Sequence, residues 1–68
     1  MYDFYYFNKN VDSNNSHEVH SKNCIYLPDE HNRELIGFCV NCKEAIKKAK
    51  EKYPYKNFDG CYYCSTSC

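Results

Sequence analysis

Asp59-Gly60-Cys61-Tyr62-Tyr63-Cys64 sets two thiols two residues apart directly after a turn signal. From that spacing both sulfurs can reach one ion. The pair lies in a chain of 68 residues that carries six cysteines. A chain this short buries only about 60% of the surface its unfolded form exposes. Apolar burial at about 25 cal/mol per Å² then nearly cancels an ordering cost of about 1.5 kcal/mol per residue. One domain over residues 1–68, held by a covalent or metal staple, is therefore expected. The apolar stock agrees: eight Tyr and four Phe supply most of the bulk, with Leu only at 27 and 35 and Ile only at 25, 36 and 46. The core they can build is thin and aromatic.

Six cysteines in a secreted chain of this size read as a disulfide scaffold. Met1 to Asn10, however, holds no basic stretch, no apolar run and no small-residue cleavage site. A cytoplasmic location is expected, where thiols stay reduced and clustered Cys and His serve as metal ligands or redox centres. No run approaches the roughly 18 apolar residues of a membrane span. The net charge is zero, but residues 1–34 hold six acids against three bases and residues 35–68 the reverse. The basic half permits an acidic partner without requiring one.

The pattern along the chain predicts an α+β fold, a small antiparallel sheet packed against one helix. Residues 2–7 are aromatic and free of Gly and Pro, which favours a strand. Residues 8–16 are rich in Asn, Asp and Ser and have too little apolar area to offset ordering, so a flexible loop is expected. An extended segment resumes at Ser16 to His20, and after a polar turn Cys24 to Leu27 reads as a further strand. Leu35 to Phe38 is a brief apolar strand ahead of the clearest element, a helix from about Cys42 to Tyr53. Asn41 can cap that helix, Glu44 stands where a capping box needs it, and Pro54 ends it. Cys42, Ala45, Ile46, Ala49 and Tyr53 recur at helical spacing as its buried face. Asp59-Gly60 reads as the turn into the last cysteine pair.

A tetrahedral site on Cys61 and Cys64 needs two more ligands, and two pairs compete. His20 and Cys24 flank a three-residue polar turn that folds them to one side. Cys39-Val40-Asn41-Cys42 gives a second two-residue spacing, with 18 residues between Cys42 and Cys61, inside the window of zinc sites built from two cysteine pairs. Spacing alone favours Cys39 and Cys42. Both nevertheless fall on apolar segments and suit core thiols.

The run of His20 and Cys24, then Phe38, then Glu44-Ala45 on a helix, then Cys61 and Cys64 resembles the metal-binding domain of the Ada DNA-repair proteins. There a pair spaced by three residues and a later pair spaced by two hold one zinc, around an aromatic residue and a short helix. The resemblance covers roughly residues 17–64 and implies His20, Cys24, Cys61 and Cys64 as the zinc ligands. His17-Glu18-Val19-His20, Leu27-Pro28, Gly37 with Phe38, Cys42-Lys43-Glu44-Ala45 and Asp59-Gly60-Cys61 are also similar to a group of small uncharacterised bacterial proteins. Two departures from Ada bear on function. His20 stands where that family has the thiolate that accepts a methyl group, and an imidazole does not repeat that chemistry. Tyr62 and Tyr63 stand where it has basic residues.

Other motifs have bland and sharp readings. His17 and His20 are three apart, whereas the metalloprotease helix needs two His four apart around a Glu. In a strand they face opposite ways, so His20 is expected to ligate and His17 to lie at the surface or behind the site. Cys39 and Cys42 at a helix start suit a thiol-redox centre or core and disulfide thiols, with Cys68 able to bridge to either. Lys43, Lys47, Lys48 and Lys50 form a solvated helix face that could also contact nucleic-acid phosphates, although a pI near 6.8 gives no basic footprint. The function expected is a structural zinc-binding module for nucleic acid or protein, not an enzyme. The alternative is a disulfide-linked or thiol-redox protein without metal.

Overall fold

Tyr5 and Phe7 alternate with Phe4 and Tyr6, and this two-residue period forms β1 (Asp3–Asn8), whose Tyr5 and Phe7 face a core. The structure, a computed structural model, describes residues 2–65 and Cys68. The remaining elements are β2 (His17–Ser21), a 3-10 turn at Glu30–Asn32, β3 (Arg33–Cys39), α1 (Cys42–Lys52) and β4 (Phe58–Gly60). The fold is α+β, one four-stranded sheet in the order β3-β1-β2-β4 with α1 packed against it.

The sheet is mixed and not purely antiparallel as expected. β1 pairs antiparallel with β2 and β3, but β4 runs parallel to β2, with His17 opposite Phe58 and Val19 opposite Gly60. Parallel pairing needs a long crossover, and the chain supplies one through β3 and α1. Asp59-Gly60 is accordingly the end of a strand and not a turn. The strand expected at Cys24 to Leu27 is also absent. Its backbone bonds close locally, Cys24 N–H to Ser21 O and Leu27 N–H to Cys24 O, both at 3.1 Å, and Ile25 is 86% exposed. An apolar residue there has no sheet to pack on.

The helix follows its sequence signals. The Asn41 side chain accepts the Glu44 N–H at 2.9 Å, and the Glu44 carboxylate accepts from Val40 N–H at 2.9 Å, one residue further back than the usual capping box. Tyr53 N–H closes the last turn on Ala49 O, and Pro54 follows. Cys42, Ala45 and Ala49 are buried, with Ile46 and Tyr53 partly so. These small side chains let the helix lie close to β3, β4 and β2. Phe7 is the hub on the sheet side, meeting His17, Tyr53 and Phe58 edge-on at 5.1 to 5.8 Å. Between β1 and β2 the Asp12 carboxylate accepts the N–H groups of Asn14 and Ser16.

Two cysteines are joined: Cys42, at the start of α1, forms a disulfide with Cys68, 26 residues later. No helix among the described residues is long and apolar enough to cross a membrane.

Candidate metal centre

His17 and His20 take opposite faces of β2, as strand alternation requires. His17 lies on the core side and is buried at 5% exposure, so it is neither a surface residue nor part of the site. Its Nδ1 pairs with Asn8 O at 2.7 Å, and its ring packs on Phe7 and Phe58. Two residues from Val19 on the same strand, His17 shares its inward face.

His20 points the other way, and three cysteines close around it. The ligand atoms of His20, Cys24, Cys61 and Cys64 all lie within 4.8 Å of one another. Cys24 Sγ and Cys61 Sγ are 3.8 Å apart. Two sulfurs each about 2.3 Å from one ion, at the tetrahedral angle, stand about 3.8 Å apart. Both nitrogens of His20 are buried without a hydrogen-bond partner, while the residue is 1% exposed. An imidazole left so costs about 1–3 kcal/mol unless something takes its lone pair. A metal ion does, and the donor set of one imidazole and three thiols is one that such an ion takes. The group could therefore hold a metal ion.

Local backbone bonds prepare the sulfurs. Tyr26 N–H donates to Cys24 Sγ and Tyr63 N–H to Cys61 Sγ, each at 3.4 Å, and Ser21 N–H donates to Cys64 Sγ at 3.3 Å. A donor aimed at sulfur favours the thiolate. At Cys64 burial opposes ionisation, but the Ser21 N–H, the Ser65 hydroxyl and the Cys24 thiol outweigh it and hold the thiol below its ordinary value. Cys24 goes the other way: burial and the neighbouring Cys64 and Cys61 sulfurs, opposed by the Tyr26 N–H, push it up to about 12. Burial also holds the His20 imidazole below its usual value, with the Glu18 carboxylate opposing. One low thiol, one high thiol and a neutral imidazole in contact form a cluster that an incoming cation completes by displacing a proton.

The competing ligand pair lies elsewhere. Cys42 is taken by the disulfide to Cys68. Cys39 is a fully buried free thiol in the core cluster, raised in pKa by burial. Of the residues expected to ligate, all four come together; the alternative pair does not join them.

Four contributors were not anticipated. The N–H donors of Tyr26 and Tyr63 stand two residues after Cys24 and Cys61, a shared offset legible in the sequence. Ser21 reaches Cys64 across 43 residues, which no local signal announces. Glu18 Oε1 lies 3.7 Å from His20 Nε2, a proximity that alternation on one strand face could have suggested.

Comparison with known proteins finds no matching protein-family model, no matching curated protein and no matching solved structure.

Proposed function

We propose that the chain is a structural zinc module: one Zn²⁺ on His20, Cys24, Cys61 and Cys64 holds a small binding or interaction domain together, and the protein is not an enzyme. The 3.8 Å separation of Cys24 Sγ and Cys61 Sγ, the spacing of two thiolates on one tetrahedral ion, carries the reading. Thiolate and imidazole donors suit zinc. Four protein ligands fill a tetrahedral ion and leave no position for substrate or water, which is the arrangement of structural sites. In small zinc domains such an ion supplies about 10–16 kcal/mol of apparent folding free energy, which offsets the stability that a thin aromatic core lacks. The similarity to the Ada metal-binding domain belongs to the same proposal, with His20 again speaking against methyl transfer.

The metal-free reading, a disulfide-linked or thiol-redox protein, has one observation in its favour, the Cys42–Cys68 bond. It leaves His20 with two buried nitrogens that make no hydrogen bond, and three thiols within 4.8 Å of its ligand atom. The zinc reading resolves both.

Native mass spectrometry of the untagged protein tests the proposal. One zinc is expected, retained in Cys39→Ala and lost or loosened in His20→Ala and Cys24→Ser. A metal-free protein with all six cysteines oxidised would sink it.

A further inference from the structure

The metal cluster occupies the β2 side of the sheet face opposite α1. Among the described residues α1 packs on the other face, and on this one the Arg33 side chain donates to the Pro28 carbonyl oxygen at 3.1 Å. Strand alternation brings Phe4 and Tyr6 of β1 onto this face, and the register shift between Tyr5 and Tyr6 brings Leu35 and Phe38 of β3 beside them although they stand three apart: Phe4 pairs with Phe38 and Tyr6 with Leu35. Tyr2 stacks on Phe38 with ring centroids 5.4 Å apart, and Phe38 meets Phe4 edge-on at 4.9 Å. Tyr2, Phe38 and Phe4 are 62%, 52% and 40% exposed. A chain this poor in apolar residues places three rings in water on one surface.

Two cations attend the rings. Lys22 Nζ lies 5.8 Å from the Phe4 centroid, and the Arg33 guanidinium lies 4.9 Å from that of Tyr6. They stand towards opposite ends of β1: Lys22 N–H donates to Phe4 O, and Arg33 pairs with Asn8. Two acids of the neighbouring strands are engaged elsewhere. Glu34 faces the helix side, bound by the Tyr53 hydroxyl and Lys52, and Glu18 sits against His20.

We infer that this half of the sheet is a stacking platform for single-stranded nucleic acid, with the Tyr2, Phe4 and Phe38 rings taking bases and Lys22 and Arg33 taking the adjoining phosphates. The inference rests on the binding-module reading above and gives that module its surface and its partner. Exposed rings suit bases because every base presents a π-face, and flanking cations neutralise the backbone. A second copy of the chain fits less well: a two-fold pairing would set this face against itself and bring Lys22 and Arg33 of both copies onto one interface. A duplex fits less well too, since its bases are already stacked inside. The helix offers no comparable surface, as Glu44 and Glu51 are interleaved with Lys47 and Lys48.

The test is fluorescence anisotropy of a labelled oligothymidylate of about 15 nucleotides, titrated with the zinc-loaded, disulfide-intact full chain at low and moderate salt. Micromolar binding that weakens with salt is expected, and an equal duplex should not compete. Phe38→Ala and Phe4→Ala should each weaken binding about tenfold. Arg33→Ala should reduce the slope of log affinity against log salt by about 0.7. Zinc content, measured on the same samples, stays at one ion, so a failed fold or a failed metal reading is seen separately from a failed surface. No binding at about 100 µM protein in low salt overturns the inference while leaving the metal reading intact. So does binding that survives the ring variants but is lost in Lys47→Glu with Lys48→Glu, or a dimer in sedimentation that Phe38→Ala dissolves.

Discussion

The N–H of Cys61 donates to the carbonyl oxygen of Val19 at 2.9 Å, one residue beyond the Val19–Gly60 pair that ends the parallel ladder. Val19 is fully buried and precedes His20. A ligand from the N-terminal half and one from the C-terminal half are thus aligned by sheet pairing and core packing together, and not by loop conformation.

Loosening that alignment should loosen the metal without touching a ligand. Val19→Ala removes two buried methyl groups and is expected to cost about 2–3 kcal/mol. Zinc stoichiometry should be retained while release to a competing chelator accelerates. Ile25→Ala, at an 86% exposed position beside Cys24, should leave the release rate unchanged. Equal rates in wild type and Val19→Ala would show that the site holds its shape independently of the core.

Stability should fall on both sides of neutrality in the metal-free protein. The buried His20 imidazole is held below its ordinary value, so below about pH 6.5 the unfolded chain takes a proton that the folded chain refuses. Cys64, held low, adds stability that is likewise lost as pH falls. Cys24, pushed up to about 12, acts oppositely: above about pH 8.5 the unfolded thiol ionises first and stability declines as pH rises. Zinc removes the alkaline loss by taking the thiolate. Anaerobic urea titrations from acid to alkaline pH, with and without zinc, should show these limbs. An acid limb absent between neutrality and pH 5 would remove the account of His20 as a buried neutral imidazole.

The Cys42–Cys68 bond encloses a separation of 26 residues, for which loop entropy gives about 3–4 kcal/mol. Cys68→Ser should lower the urea midpoint accordingly while the zinc stays bound, because neither cysteine is among the clustered ligands. Thiol titration after chelation and denaturation should find four reactive groups, matching free Cys24, Cys39, Cys61 and Cys64. Six would mean that the bridge does not form in solution.

Gly60 has no space for a side chain. A β-carbon there would overlap the Ser65 carbonyl oxygen and stand 2.9 Å from Cys68 Cβ. The obstruction at Ser65 is backbone, held by the Ser65 N–H to Cys61 O bond at 2.9 Å, so it does not rotate away. Gly60→Ala should destabilise the chain by about 1–3 kcal/mol and weaken zinc retention, since Cys61 is the next residue. Differential scanning calorimetry of both forms would measure it. Gly37→Ala is the useful contrast: its β-carbon meets only the flexible end of Lys48, but its φ of 147° makes the backbone the source of any loss.

The helix was legible residue by residue. Asn41, Glu44 and Pro54 mark its ends through chemistry confined to one turn, and Cys42, Ala45 and Ala49 mark its inner face through a period that any buried helix must keep. β1 was equally plain, because alternation of aromatic residues has few other uses. The cysteine pair at 61 and 64 announced a site by spacing alone, but not its partners: Cys39 and Cys42 fit the spacing better than His20 and Cys24 and lie outside the cluster. β4 was hidden because a three-residue strand has no period of its own and exists only by pairing with β2.

The sequence by itself determined the helix, the central strand, the need for a staple and the donors available for one, since each of these is written in local spacing and in the smallness of the apolar stock. Tertiary structure decided which donors meet. The parallel return of Phe58–Gly60 beside His17 to Val19 sets Cys61 next to His20, and the packing of α1 turns Cys39 into the core and Cys42 towards Cys68. Those juxtapositions depend on pairing across some forty residues of chain, and contacts at that range leave no trace in the spacing of neighbours.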